Sequence, residues 1–295
     1  MGYLGIDLGT TNSVAVIYND KTNGMDIVKI DRTDEILPSV VSYLEEGVIV
    51  GAEAKSGAII YPEQTITSVK RLIGQSEPIS AGSQDKLPEE VSADILRKLK
   101  QAAADQSGET YDEVVITHPA YFNDRQIFAT KQAGLMAGFR SVQLLSEPLA
   151  AAIEYGYRHG YAQTLMVYDL GGGTLDVCVL KVSQDEQGQE IFQELSDVGD
   201  MNLGGDDFDS ELIRWMIEIF TNETGIDLSK LCEICNLVAE IAKVPIPGKK
   251  PIVGSCLTQV ESGLVSDIVY RMQKLGVETG MAPFTQKLVG GQPQQ

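Results

Sequence analysis

Two stretches, "LGIDLGTTNSVAVI" at residues 4–17 and "MVYDLGGGTLDVCVL" at residues 166–180, follow one order: an apolar run, an Asp, Leu-Gly, a Thr, and a second apolar run. β-Branched runs on either side of a glycine-rich break predict two strands joined by a tight turn in each case. Glycine in such a turn tolerates positive φ and lets the backbone approach a ligand closely. Successive N–H groups there form a nest for phosphate oxygens, with the Thr hydroxyl beside them. The carboxylates Asp7, Asp169 and Asp176 would repel phosphate unless a divalent cation lay between. They therefore predict Mg²⁺, held partly through its own water shell. Asp, Gly, Asn and Thr also fill ordinary hairpin turns. It is the doubling, with Asp7 and Asp169 in matching places, that points to a pair of jaws gripping one triphosphate.

The rest of the composition narrows the field. At 295 residues the chain is long enough for two lobes with separate cores. It carries a net charge of −19, which argues against nucleic acid or an anionic membrane as its main partner. An anion must then be bound by backbone N–H groups, a few placed cations or a metal. No run of eighteen apolar residues occurs, so no membrane span is expected. The opening "MGYLGIDLGT" lacks a basic n-region, and four cysteines in so long a chain make no disulfide scaffold. A cytoplasmic setting is the expectation. Neither a G-x-x-x-x-G-K-[ST] loop nor a G-x-G-x-x-G opening a βαβ unit is present.

Along the chain, strands alternate with helices. "YLGID", "SVAVIY", "MDIVKI", "SVVSYL", "DEVVITHP" and "SVQLLSEP" read as strands. Helices are expected over 88–104, where Pro88 suits the first turn and Val91, Ile95 and Leu99 keep helical spacing. A second starts after Asn123, with Gln126 at capping-box distance and Gly138 as its stop. A third opens at Pro148, and a fourth runs from Phe208 to Gly225. The sum is an α/β protein with mixed sheets.

Taken together with "ILPSVVSY", "VGAEAK", "VKRLIGQ", "VVITHPAYFNDRQ", "LSEPLAAAIEYG" and "NLGGDDFD", the two turns closely resemble the nucleotide-binding domain of the 70-kilodalton heat-shock chaperone family, in the family's order through residue 230. The resemblance implies the two-lobed, ribonuclease H-like fold of the actin-like ATPases, with ATP and Mg²⁺ as ligands. Gly9, Thr10, Thr11 and Asn12 match the first phosphate loop, and Gly172, Gly173 and Thr174 the second. Lys70 matches the lysine that reaches the γ-phosphate, Glu147 the acid near the attacking water, and Asp7, Asp169 and Asp176 the carboxylates around the metal. Pro119 matches a proline that relays nucleotide state. Co-chaperones or nucleotide exchange factors are the implied partners. A solvated Lys70–Arg71 pair, a helix-start acid at Glu147 and a strand terminator at Pro119 are the plainer readings of those residues.

After residue 230 the pattern departs from the family. No adenosine-contacting helix is recognisable, the second lobe is left incomplete, and residues 1–295 hold no peptide-binding domain. Residues 231–295 could complete that lobe: "LVSDIVYRMQKLG" has a stripe of Leu264, Ile268 and Met272, and Gly290 and Gly291 in "KLVGGQP" stand where a base-side glycine turn would be. Cys232 and Cys235 form a C-x-x-C without a fourth zinc ligand nearby and read as small buried hydrophobes. The functional expectation is an ATP-binding, chaperone-like protein with slow hydrolysis. The alternative is a non-catalytic truncated interaction module.

Overall fold

The computed structural model describes residues 2–19, 23–31, 33–159, 163–188 and 190–225. Gly290, Gly291, the C-x-x-C and the 264–276 stripe lie outside the described residues.

The first glycine turn opens a six-stranded mixed sheet. Strands β1 (Leu4–Asp7) and β2 (Asn12–Asn19) form its antiparallel hairpin, with Asp7 opposite Val14. β3 (Gly24–Ile27) extends it beyond β2, and the short β4 (Leu37–Pro38) pairs with the start of β2. The expected strand 25–30 stops at Ile27. The Lys29 N–H is taken by the Gln106 side chain at 2.7 Å, and the same amide donates to the Ile27 carbonyl at 3.1 Å. A glutamine thus occupies the sheet edge where another strand could add.

A smaller sheet follows, in which β5 (Val41–Leu44) lies between β6 (Gly47–Val50) and β7 (Thr65–Ile66). The helix α1 (Ala52–Gly57) connects them. A single turn of 3-10 helix spans Val69–Leu72, entered through Ser68 at φ 51°, and a hairpin of β8 (Ile79–Ala81) and β9 (Gln84–Lys86) precedes the next helix.

That helix, α2 (Pro88–Ser107), begins where Pro88 predicts and runs three residues past the expected end. Val91, Ile95 and Leu99 are fully enclosed against β1 and β2 residues such as Leu4 and Ile17. Truncating such a leucine to alanine costs on the order of 2–5 kcal/mol. β10 (Glu113–His118) joins β1 in parallel, Ile6 beside Ile116, and β11 (Ser141–Ser146) joins β10 in parallel. Between them α3 (Asp124–Met136) has the predicted capping box: Asn123 Oδ1 accepts from the Arg125 and Gln126 N–H groups, and Gln126 reaches back to the Asn123 N–H. A cap of this kind stabilises a helix by about 1 kcal/mol.

α4 (Glu147–His159) begins one residue earlier than expected, at Glu147 rather than Pro148. The second glycine turn then joins β12 (Gln163–Leu170) to β13 (Leu175–Gln184), with Asp169 opposite Asp176. β14 (Glu190–Asp200) completes a three-stranded antiparallel sheet, whose inner face packs Cys178 and Leu180 against Ala152 of α4. α5 (Gly205–Thr224) starts three residues before the expected Phe208 and stops before Gly225, at φ 72°. No helix among the described residues is long and apolar enough to cross a membrane.

Candidate functional site

The first turn is held open by its neighbours. A Cβ on Gly9 would lie 2.0 Å from the Asn12 carbonyl oxygen, so only glycine fits there. Ser39, next to β4, donates its Oγ to the Gly9 carbonyl at 2.8 Å and its N–H to the Thr11 carbonyl at 2.8 Å. Because β1 and β10 run in parallel, Thr117 stands beside Asp7 and donates to its Oδ1 at 2.6 Å.

The second turn is closed by the Gly171 N–H on the Thr174 carbonyl at 3.0 Å. Its other carbonyls are bound by the start of α5: the Gly205 N–H donates to Gly171 at 3.0 Å and the Asp206 N–H to Gly172 at 2.8 Å. These bonds satisfy helix-start donors that would otherwise lack partners, which is why α5 begins at a glycine of poor helix propensity. The two turns touch. A Cβ on Gly172 would fall 1.8 Å from Thr11 Oγ1, and one on Gly173 would fall 2.5 Å from Thr10 Cγ2.

Lys70 projects from the 3-10 turn and ion-pairs with Glu147 Oε1 at 2.6 Å, the side chains 8% and 13% exposed. Buried charges persist only when paired, so a solvated surface lysine is ruled out. Burial pushes the Glu147 carboxyl above its ordinary range; Lys70 opposes this, while Asp7 and Asp169 add to it. Asp169 is likewise raised by burial and by Asp7. Burial raises Asp176, whose Oδ1 accepts from the Tyr121 N–H at 3.4 Å. Burial lowers the His118 imidazole, which stacks on Phe122.

A cavity of about 460 Å³ lies against both turns and the charged groups Asp7, Lys70, Glu147 and Asp169. Among the described residues expected at the site, Asp7, Gly9, Thr10, Thr11, Asn12, Lys70, Glu147, Asp169, Gly172 and Thr174 all line it. Gly173 and Asp176 do not: Gly173 packs on Thr10, and Asp176 is turned toward Tyr121. Three residues unassigned by sequence reasoning also belong to the structure of the site. Thr117 holds Asp7, Ser39 holds the first turn, and Arg71 makes a two-armed ion pair with Asp207. The acidic pair in "GGDDFD" was the available signal for the last of these.

A family model described as "Hsp70 protein" matches residues 3–86 and 78–246 of this chain. The chain belongs to the Hsp70 family. Among the curated relatives, a protein named chaperone protein DnaK from Thermotoga neapolitana is 42% identical over 227 residues, covering 76% of this chain and 37% of the relative. The DnaK of Thermosipho africanus is 39% identical over 251 residues, covering 83% of this chain and 41% of that protein. The DnaK of Buchnera aphidicola subsp. Schizaphis graminum is 41% identical over 252 residues, covering 76% and 39%. This Hsp70 chain spans about two fifths of the length of these relatives.

Proposed function

We propose that this Hsp70-family chain binds Mg·ATP in the cavity between its two glycine turns and hydrolyses it slowly, as the nucleotide-binding part of a chaperone. In this reading residues 1–230 form the nucleotide-binding region of the two-lobed, ribonuclease H-like actin-like ATPase fold, and residues 231–295 form a divergent segment that belongs to its second lobe. The observation that carries the reading is the convergence of both turns, Asp7, Asp169, Lys70 and Glu147 on one cavity.

The charges decide what can enter. Asp7, Asp169 and Glu147 outnumber the single Lys70 in the lining, so a free triphosphate would be repelled. The donor set is all oxygen, which suits a hard cation, but among the described residues no three of His, Cys, Asp and Glu gather closely enough to chelate one. That combination fits Mg²⁺ held by Asp7 and Asp169 through retained water; Asp176 would act from behind. Bound there, Mg²⁺ neutralises phosphate charge. Thr10, Thr11, Asn12 and Thr174 then supply donors to phosphate oxygens. Lys70 would exchange its Glu147 partner for an oxygen of the transferring phosphoryl, and Glu147, freed of that partner, would position the attacking water. Pro119, fully buried after β10, is the proposed relay of nucleotide state.

The relatives' name, chaperone protein DnaK, supports a chaperone role; protein folding in the cytoplasm, with co-chaperones or nucleotide exchange factors as partners, is part of the same proposal. A non-catalytic interaction module is favoured by one observation: Lys70 and Glu147 already satisfy each other. Isothermal titration separates the two. Saturable heat with Mg·ATP and Mg·ADP is expected; its absence with folded protein leaves the interaction module.

A further inference from the structure

Lys70 is one residue from Arg71 and two from Ser68, and both neighbours are tied to the first turn of α5. Arg71 Nη1 donates to Asp207 Oδ1 at 3.1 Å, and Nη2 to the other carboxylate oxygen. Ser68 Oγ donates to Asp206 Oδ2 at 2.6 Å, while Thr11 Oγ1 reaches Asp206 Oδ1 at 3.5 Å. The Gly204 N–H donates to Asp207 Oδ2 at 2.8 Å, which fixes the carboxylate from its own side. Meanwhile the backbone of α5 grips the second glycine turn through Gly171 and Gly172.

Ser68 sits at φ 51°, a left-handed conformation that a non-glycine residue adopts only when its surroundings impose it. A 3-10 turn of four residues has poor internal hydrogen-bond geometry and little stability of its own. The direction of Lys70 is therefore set from outside, by the bonds on either side of it. A bidentate arginine–carboxylate pair fixes orientation as well as distance, which a lysine could not do. Arg71 Nε is buried with no hydrogen-bond partner, and a Cβ on Gly173 would sit 2.8 Å from it. The guanidinium is thus wedged between α5 and the second turn.

We infer that Asp206 and Asp207 are positioning residues: through Ser68 and Arg71 they hold the 3-10 turn so that Lys70 points into the phosphate cavity, coupling the second glycine turn and α5 to that lysine. The catalytic consequence rests on the proposed role of Lys70; the geometric claim does not. Acid pairs opening a helix ordinarily complement its dipole. Here both carboxylates have side-chain partners more than a hundred residues away in sequence.

The test uses the full chain. Without nucleotide, acetic anhydride is limited so that Lys70 competes with the exposed Lys98 and Lys131, and modification at each is read by mass spectrometry. Asp207→Asn is expected to raise relative acetylation of Lys70 at least about fivefold, and Ser68→Ala, which leaves every charge in place, about twofold. The half-buried Lys86 and Lys100 serve as controls and stay unchanged. The exchanged pair Arg71→Asp/Asp207→Arg restores part of the protection. With nucleotide, Asp207→Asn lowers the single-turnover hydrolysis rate about tenfold while Mg·ADP affinity stays within about twofold. Unchanged Lys70 reactivity in Asp207→Asn and Ser68→Ala overturns the inference, and so does a rise shared equally by Lys86 and Lys100. If Asp207→Asn does not fold, Ser68→Ala decides alone. If Lys70 becomes reactive as expected but wild type binds no nucleotide, the positioning role stands and the proposed function falls.

Discussion

Gly172 and Thr11, 161 positions apart, approach so closely that a methyl group on the glycine would lie 1.8 Å from the threonine hydroxyl oxygen. The two glycine turns are therefore one packed unit, and each limits where the other can stand. Gly172→Ala must push them apart or displace Thr11. Mg·ADP affinity is expected to fall at least tenfold, on the order of 1.4 kcal/mol. Gly57→Ala is the control, since its Cβ would meet Tyr61 at an ordinary 3.8 Å. Equal affinities for the two variants in isothermal titration would contradict the packed-turn account.

Removing Lys70 should have two separable effects. With the lysine gone, Glu147 keeps its desolvation and loses its partner, so stability falls by up to about 3 kcal/mol, at the low end for a buried pair because both side chains retain some exposure. Lys70→Met with Glu147→Gln removes both charges and should melt closer to wild type than Lys70→Met alone. On activity, Lys70→Ala leaves nucleotide binding mostly intact and slows single-turnover hydrolysis at least tenfold, about 1.4 kcal/mol of barrier. A double variant melting below the single one would reverse the reading of this pair.

Much of this site could be read before any coordinates, and the parts that could not have physical causes. The two hairpins, the Asn123 cap and the stop at Gly225 depend on local chemistry, and local chemistry is written in short windows. That Lys70 meets Glu147 depends on a contact 77 residues apart in sequence, which no spacing rule reaches; the family resemblance named both residues but not their pairing. β14 went unread because "EIFQELSDVGD" lies at a sheet edge and its exposure hardly alternates, so no period of two appears in its sequence. The early start of α5 was hidden by Gly205, which is helical only because carbonyls of the second turn receive its first N–H groups.

Acidity should weaken the site by a calculable sign. Glu147 and Asp169 are raised above the ordinary carboxylate range, chiefly by burial. A group raised on folding stabilises the folded chain below its unfolded value, and that contribution disappears as pH climbs through the raised one. A cation in the cavity favours the ionised forms and reverses the effect, releasing protons as it binds. Mg·ADP affinity is therefore expected to fall as pH is lowered from 7 toward the ordinary carboxylate range, with net proton release on binding there. Titrations in two buffers of different ionisation heat measure the release directly. Proton uptake would mean that the carboxylates do not face the bound cation.

The described lining of the cavity is made of glycine turns, threonine hydroxyls, Asn12, two alanines of α4 and four charged side chains, with no aromatic ring among them. In the proposed function such a surface would suit phosphate and a metal rather than the edges of a base. Discrimination between bases arises when the wrong one leaves buried polar groups of the pocket unpaired. The described lining offers no group placed to impose that penalty. ATP and GTP are therefore expected to differ in affinity by less than about tenfold, or 1.4 kcal/mol. Magnesium tripolyphosphate should compete within about a further tenfold, since it keeps the contacts to both turns and to Lys70. An affinity carried by contacts to this described lining alone should be on the order of micromolar or weaker. Competition against a fluorescent ADP analogue ranks the three ligands. A hundredfold preference for ATP would assign base recognition to residues beyond those lining this cavity, and would shift the main binding energy from the phosphates to the nucleoside.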